Sequence, residues 1–187
     1  TGTACHIDSV SAIAGGSISR AVLVGSGSAH WFVKINSVRK VDLFAAEADG
    51  LNALSRCRAL RVPRVVASGV GGDHAFLALE YMRLHRLHTA THSSAAGRAL
   101  AELHRIHGEQ YGWQRDNYIG STPQDNTPHR NWPFFFARRR LLPQLRLAQQ
   151  RGDGGTLITR GERLVDSLAA LFVDHHPPPS LLHGDLW

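Results

Sequence analysis

The residues best placed to do chemistry are in His183-Gly184-Asp185, with Leu181-Leu182 before it and Leu186-Trp187 after it. Two apolar residues running into a His-x-Asp turn describe a buried strand end that brings a carboxylate to a cleft. A carboxylate so held suits the accepting of a proton from a hydroxyl. A second feature lies far upstream. Lys34 sits inside the aromatic and β-branched run His30-Trp31-Phe32-Val33-Lys34-Ile35. A lysine there is either the open side of an amphipathic strand or a shielded cation that needs anions. Glu47 follows 13 residues later, in a stretch of helical periodicity, where it can turn that cation toward phosphate oxygens. A third feature is the loop Gly15-Gly16-Ser17-Ile18-Ser19 between two strand-like runs. Glycines let backbone approach a ligand closely and leave N–H groups free for phosphate oxygens. No Gly-Lys-Ser/Thr follows, so this is not a P-loop. Taken singly, each feature also reads as an ordinary turn, a hairpin or a solvated glutamate. Their order along the chain gives them weight.

The elements that must position these groups follow from the pattern. Strands are predicted near residues 5–13, over Ala21-Val22-Leu23-Val24 and over residues 30–35, with a helix over 41–54 in which Leu43, Phe44, Leu51 and Leu54 share a face. A turn and a fourth strand are predicted over residues 61–69 and a fifth strand over 74–82, joined at Gly71-Gly72-Asp73. Glycine-rich turn, strand with lysine, helix with glutamate, then two strands is the order of a kinase small lobe. Glu80-Tyr81-Met82 then falls at the hinge, where backbone groups can pair with an adenine edge. Downstream, residues 91–107 read as a helix capped by Ser93 or Ser94 and ended by Gly108. Residues 111–133 form a long loop rich in Asn, Pro and aromatics, in which Trp113, Tyr118 and Trp132 offer flat surfaces for a sugar. Helices are predicted over residues 134–150, with Pro143 as a kink, and over 157–174, before Pro177-Pro178-Pro179.

Composition narrows the classes. With 43% apolar and 19% charged residues over 187 positions, the chain can build a core and is not disordered by default. No run reaches the roughly 18 apolar residues of a membrane span. No signal peptide is visible, and Cys5 and Cys57 make no disulfide framework, so a cytoplasmic location and no membrane partner are expected. The net charge of +6 comes almost wholly from dispersed arginine, Lys34 and Lys40 being the only lysines. No basic stripe is interleaved with aromatics, so nucleic acid is not an expected partner. His85 and His88, and His104 and His107, sit three apart, but no third ligand with zinc spacing accompanies either pair.

The chain resembles the fructosamine kinases, or ketosamine kinases, relatives of the aminoglycoside and choline phosphotransferases. The residues that carry the resemblance are Gly15 to Ser19, Phe32-Val33-Lys34, Glu47-Ala48-Asp49-Gly50-Leu51 and Leu103-His104-Arg105. They continue with Asp116 to Gln124, Trp132-Pro133-Phe134-Phe135 and Pro179 to Trp187. The resemblance implies an α+β, two-lobed protein-kinase-like fold. An N-terminal lobe with an antiparallel sheet and one helix would occupy residues 1–82, and a partial helical lobe residues 83–187. It implies transfer of the γ-phosphoryl of ATP to the 3-hydroxyl of a fructosamine or ribulosamine, on a small molecule or a glycated protein lysine, with Asp185 as catalytic base. Nucleotide-binding residues would be Gly15, Gly16, Ser17, Ile18, Ser19, Lys34, Glu47, Glu80, Tyr81 and Met82. Substrate-side candidates are His183, Trp187, Asn117 and Trp132. The family's Asn and Asp ligands for Mg2+ fall past Asp185, so the magnesium ligands are expected beyond residue 187 and none within the chain. That departure implies a fragment inactive alone, with an incomplete lobe able to self-associate. The alternatives are an aminoglycoside or choline-type phosphotransferase and a non-catalytic nucleotide-binding fragment.

Overall fold

Strand formation begins where β-branched and aromatic residues concentrate. In a computed structural model, which describes residues 6–13 and 18–185, five strands build one antiparallel sheet in the order β1-β2-β3-β5-β4. They are β1 (Ser9–Ile13), β2 (Arg20–Ser26), β3 (Ala29–Ser37), β4 (Val65–Gly71) and β5 (His74–Glu80). Helix α1 (Val41–Leu54) connects β3 to β4, matching the span expected from periodicity. Its Phe44 and Ala48 pack on Ala75, Leu77 and Leu79 of β5, and Phe32, Leu43, Leu51 and Val65 close the cluster. Leu77 is fully buried, and burying a leucine contributes roughly 1.5–3 kcal/mol. Strand β4 begins at Val65, after the expected turn. Pro63 has no N–H to donate, and pairing is irregular between Val65 and Ala67.

The chain divides into two compact units, Thr1–Arg105 with Leu182–Trp187, and Ile106–Leu181. Helix α2 (Ala90–His104) follows the irregular segment 81–89 and belongs to the first unit, whose border lies at Arg105 and not at the expected residue 82. Thr89, not Ser93 or Ser94, caps α2. Its backbone is extended, and its hydroxyl accepts the His92 N–H at 3.1 Å.

The second unit is clasped where the chain enters and leaves it. Gly108 N–H donates to Pro179 O and Leu181 N–H to Ile106 O, both at 2.8 Å. The strand end expected at Leu181-Leu182 is thus a single bridge between His107 and Ser180. The long loop contains a small hairpin, β6 (Asn117–Ile119) with β7 (Thr122–Gln124). A helical run follows as α3 (Trp132–Phe136), a wider π-type turn (Ala137–Leu141) and α4 (Leu142–Gln150). Pro143 cannot donate to the Arg139 carbonyl one turn back. The Arg140 guanidinium donates to that carbonyl instead, at 2.9 Å, so the predicted kink appears as a local widening. Helix α5 (Thr156–Leu171) packs on α4 through Gly161, where an added Cβ would lie 2.4 Å from a Leu145 methyl.

Candidate active site

Lys34 lies on β3 opposite Ala21 of β2 and Leu77 of β5. Both neighbours are buried and apolar, so neither can answer its charge. The partner comes from α1, where Glu47 Oε1 receives Lys34 Nζ at 2.6 Å. The pair is partly shielded, with side chains 31% and 27% exposed. A cation held by one carboxylate can still offer hydrogens to a second anion, and that is what a phosphate-binding lysine requires.

Asn36 is a residue that sequence reasoning missed. It lies two positions after Lys34, on the same face of the strand. Its amide donates to Ile18 O at 2.9 Å and to Ser19 Oγ at 3.1 Å, while its Oδ1 accepts the Ser37 N–H at 2.8 Å. The end of the β1–β2 loop is therefore pinned to the strand that carries Lys34. The available signal was a polar amide at the i+2 position of an otherwise apolar strand. Of the loop candidates, Ile18 and Ser19 are described, while Gly15, Gly16 and Ser17 lie outside the described residues.

Glu80 ends β5 and faces the segment before β4. Its carboxylate accepts Arg61 Nη2 at 2.9 Å and the Arg64 N–H at 3.3 Å, and its own N–H donates to Arg64 O at 2.9 Å. The Arg61 guanidinium and then the Arg64 amide hold its carboxyl below the usual carboxylate range. This side chain ties the end of β5 to the segment ahead of β4, and Tyr81 and Met82, the other residues expected at the hinge, follow it. The Tyr81 ring lies 6.3 Å from that of His30.

Asp185 is exposed, and its N–H donates to His183 Nδ1 at 3.3 Å across Gly184, whose φ is +84°. His183 thus shapes the turn that carries the carboxylate. Trp187 lies outside the described residues. Lys34, Glu47, His183 and Asp185 belong to the first unit, whereas Asn117 and Trp132 belong to the second. Asn117 accepts the Gln124 amide across the hairpin at 2.8 Å. Trp132 packs its ring 5.1 Å from Tyr111 and 5.4 Å from Phe136.

A network beneath this hairpin is the second feature that sequence reasoning missed. Asn126, a buried polar side chain, donates to Arg115 O at 3.1 Å and accepts from Arg140, and its N–H donates to Asp116 Oδ1 at 2.8 Å. Arg140 also donates to Asp125 O at 2.7 Å and lies over the Phe135 ring at 4.6 Å. Arg139 pairs with Asp125, whose carboxyl is held below its ordinary value first by the Thr127 N–H and hydroxyl. Gly112 makes the approach possible: its φ is +109°, and a Cβ there would lie 2.4 Å from Asn126 O.

A five-stranded antiparallel sheet, a helix between its third and fourth strands, and a strand lysine paired with a helix glutamate define a protein-kinase-like fold of the α+β class. The comparisons agree. The family model for fructosamine kinase matches residues 1–187, and the chain belongs to that family. It is 36% identical over 184 residues to a Vibrio cholerae protein named "Probable ketoamine kinase", covering 97% of this chain and 62% of the relative. It is 37% identical over 191 residues to the chloroplastic protein-ribulosamine 3-kinase of Oryza sativa subsp. japonica, covering 100% of this chain and 55% of the relative. A crystal structure from Haemophilus somnus, described as "Putative fructosamine-3-kinase", superposes with a TM-score of 0.86 at 29% identity, covering 100% of this chain and 62% of that one. The chain therefore spans about three fifths of the length of the curated relatives it matches. No described helix is long and apolar enough to cross a membrane.

Proposed function

We propose that the chain binds ATP through its sheet unit and serves the phosphorylation of a ketosamine at the sugar 3-hydroxyl, on a fructosamine or ribulosamine of a small molecule or a glycated protein. The observation that carries this reading is the 2.6 Å Lys34–Glu47 pair, on the strand to which Asn36 fixes Ile18 and Ser19.

In this reading Lys34 meets phosphate oxygens of ATP, and Glu47 keeps the ammonium from turning away. The loop from Gly15 to Ser19 covers the phosphates with backbone N–H groups, and backbone groups near Glu80, Tyr81 and Met82 take the adenine edge. Asp185 receives the proton of the sugar 3-hydroxyl as that oxygen attacks the γ-phosphorus. The bond from phosphorus to the bridging oxygen breaks, and the charge left on ADP faces Lys34. His183, Asn117, Trp132 and Trp187 are the acceptor-side candidates. Kinases supply part of the charge neutralisation with Mg2+. Among the described residues no group of three or more His, Cys, Asp or Glu could hold a metal ion.

The test starts with the nucleotide. Calorimetry of the chain with ATP and magnesium should show saturable binding that Lys34→Met weakens about ten-fold or more. ADP release is then compared with fructosyl-lysine, kanamycin and choline as acceptors. A chain that binds no nucleotide would overturn the reading, and turnover on kanamycin or choline alone would move it to the neighbouring phosphotransferases.

A further inference from the structure

We propose that the second unit, Ile106–Leu181, contains a binding cleft for a monosaccharide phosphate. This goes beyond the kinase reading, which takes Trp132 as a surface for a ketosamine and gives the cleft around it no role. Failure here would leave that reading standing.

The cleft measures about 280 Å³. That is near the lower end of small-molecule sites, roughly 300–1,000 Å³. It accommodates one sugar ring with one substituent and is too small for a nucleoside triphosphate. Tyr111 and Trp132 form its aromatic corner, with rings 5.1 Å apart and inclined at 52°. The Tyr111 hydroxyl donates to Pro177 O, so this residue presents its ring and not its phenol to a ligand. Inclined faces fit the C–H surfaces of a puckered sugar on two sides, whereas a flat ring could stack on only one of them.

The polar lining is one-sided. Arg130, His175 and His176 contribute basic groups, and no described lining residue is acidic. Arg130 is exposed and makes no ion pair with a described residue. Its guanidinium can therefore grip a phosphate through two parallel hydrogen bonds. Asn131 uses its Oδ1 to accept the Phe134 N–H at 2.8 Å, which leaves its amide NH2 as a donor for a sugar hydroxyl. Aromatic corner, amide donor and uncompensated arginine together select a small, hydroxylated anion.

The experiment is calorimetric titration of the chain at neutral pH with fructose 6-phosphate as probe, beside fructose and inorganic phosphate. The expected result is saturable binding of the sugar phosphate at least ten-fold tighter than either component. Arg130→Gln should weaken it five-fold or more, and Trp132→Leu should weaken it comparably. Because Trp132 packs on Tyr111 and Phe136, its variant can disturb the unit. The exposed Arg130 keeps the test decisive. Lys34→Met should bind the probe as tightly as the parent. No saturable binding, equal affinity for fructose or phosphate alone, indifference to Arg130→Gln, or loss in Lys34→Met would each overturn the proposal.

Discussion

Glu47→Gln is the most informative single change, because it removes a charge while keeping the shape of the side chain. At the observed 2.6 Å, bare Coulomb attraction is about 1.6 kcal/mol in water and about 6 kcal/mol at an effective dielectric near 20. Both side chains retain roughly a third of their exposure. Solvent screening and the ordering of two long side chains therefore offset most of that energy. The net contribution should be on the order of 1 kcal/mol, toward the upper limit for exposed pairs. In thermal unfolding this is a fall of about 2–4 °C for a chain of this size. The functional effect should be larger than the structural one. Lysine has about 2 kcal/mol of rotamer freedom to lose, and Glu47 holds it ordered before nucleotide arrives. With glutamine in its place, ATP must do the ordering, and affinity should drop about ten-fold, or about 1.4 kcal/mol. Calorimetry on the parent, Glu47→Gln, Lys34→Met and the double variant closes a thermodynamic cycle. The coupling should be about 1 kcal/mol. If Glu47→Gln binds ATP within two-fold of the parent and the coupling is near zero, the pair is an incidental contact and the nucleotide assignment loses its support.

Two further outcomes test the second unit. Asp125 is held below its ordinary value by Thr127 and Arg139, so its stabilising effect is present above the ordinary carboxylate pKa and is lost as pH falls through the depressed folded one. The difference in urea midpoint between the parent and Asp125→Asn should be full above about pH 5 and shrink as pH falls through about 3.9 and lower; a difference independent of pH would contradict the assignment. Gly112→Ala places a Cβ 2.4 Å from Asn126 O at a φ of +109°. It should destabilise the second unit by roughly 2 kcal/mol or more, and a midpoint within experimental error of the parent would refute the packing argument.

The sheet unit was legible because its signals are local. Strand β3 announces itself through Trp31, Phe32, Val33 and Ile35, and α1 through the periodicity that buries Phe44 on Leu77 and Leu79. Once a lysine lies in that strand and a glutamate on that helix, the topology brings them together, and the observed pair follows. The cap of α2 was misplaced because Ser93 and Ser94 both have suitable side chains. Only the extended backbone of Thr89, visible in three dimensions, identifies the residue that starts the helix. The strand expected at Leu181-Leu182 shortened to one bridge at Ser180, and Leu182 stays exposed where a buried strand end was expected.

The hairpin of residues 117–124 and its support were illegible for a different reason. Their stability comes from polar side chains paired mostly across 10 to 15 residues. Asn126 joins Arg115 to Arg140, and Asp125 joins Thr127 to Arg139. No periodicity records such a network, since each member is an ordinary surface residue until its partner is known. A buried amide left without partners costs about 1–3 kcal/mol. The burial of Asn126 is tolerable only because Arg140, itself covered by Phe135, completes its bonds. The three arginines Arg138, Arg139 and Arg140 illustrate this: by composition they are a basic cluster, yet two of them are partly buried fasteners. Only Arg138, over the Phe134 ring at 6.0 Å, keeps the exposed character that their sequence suggested.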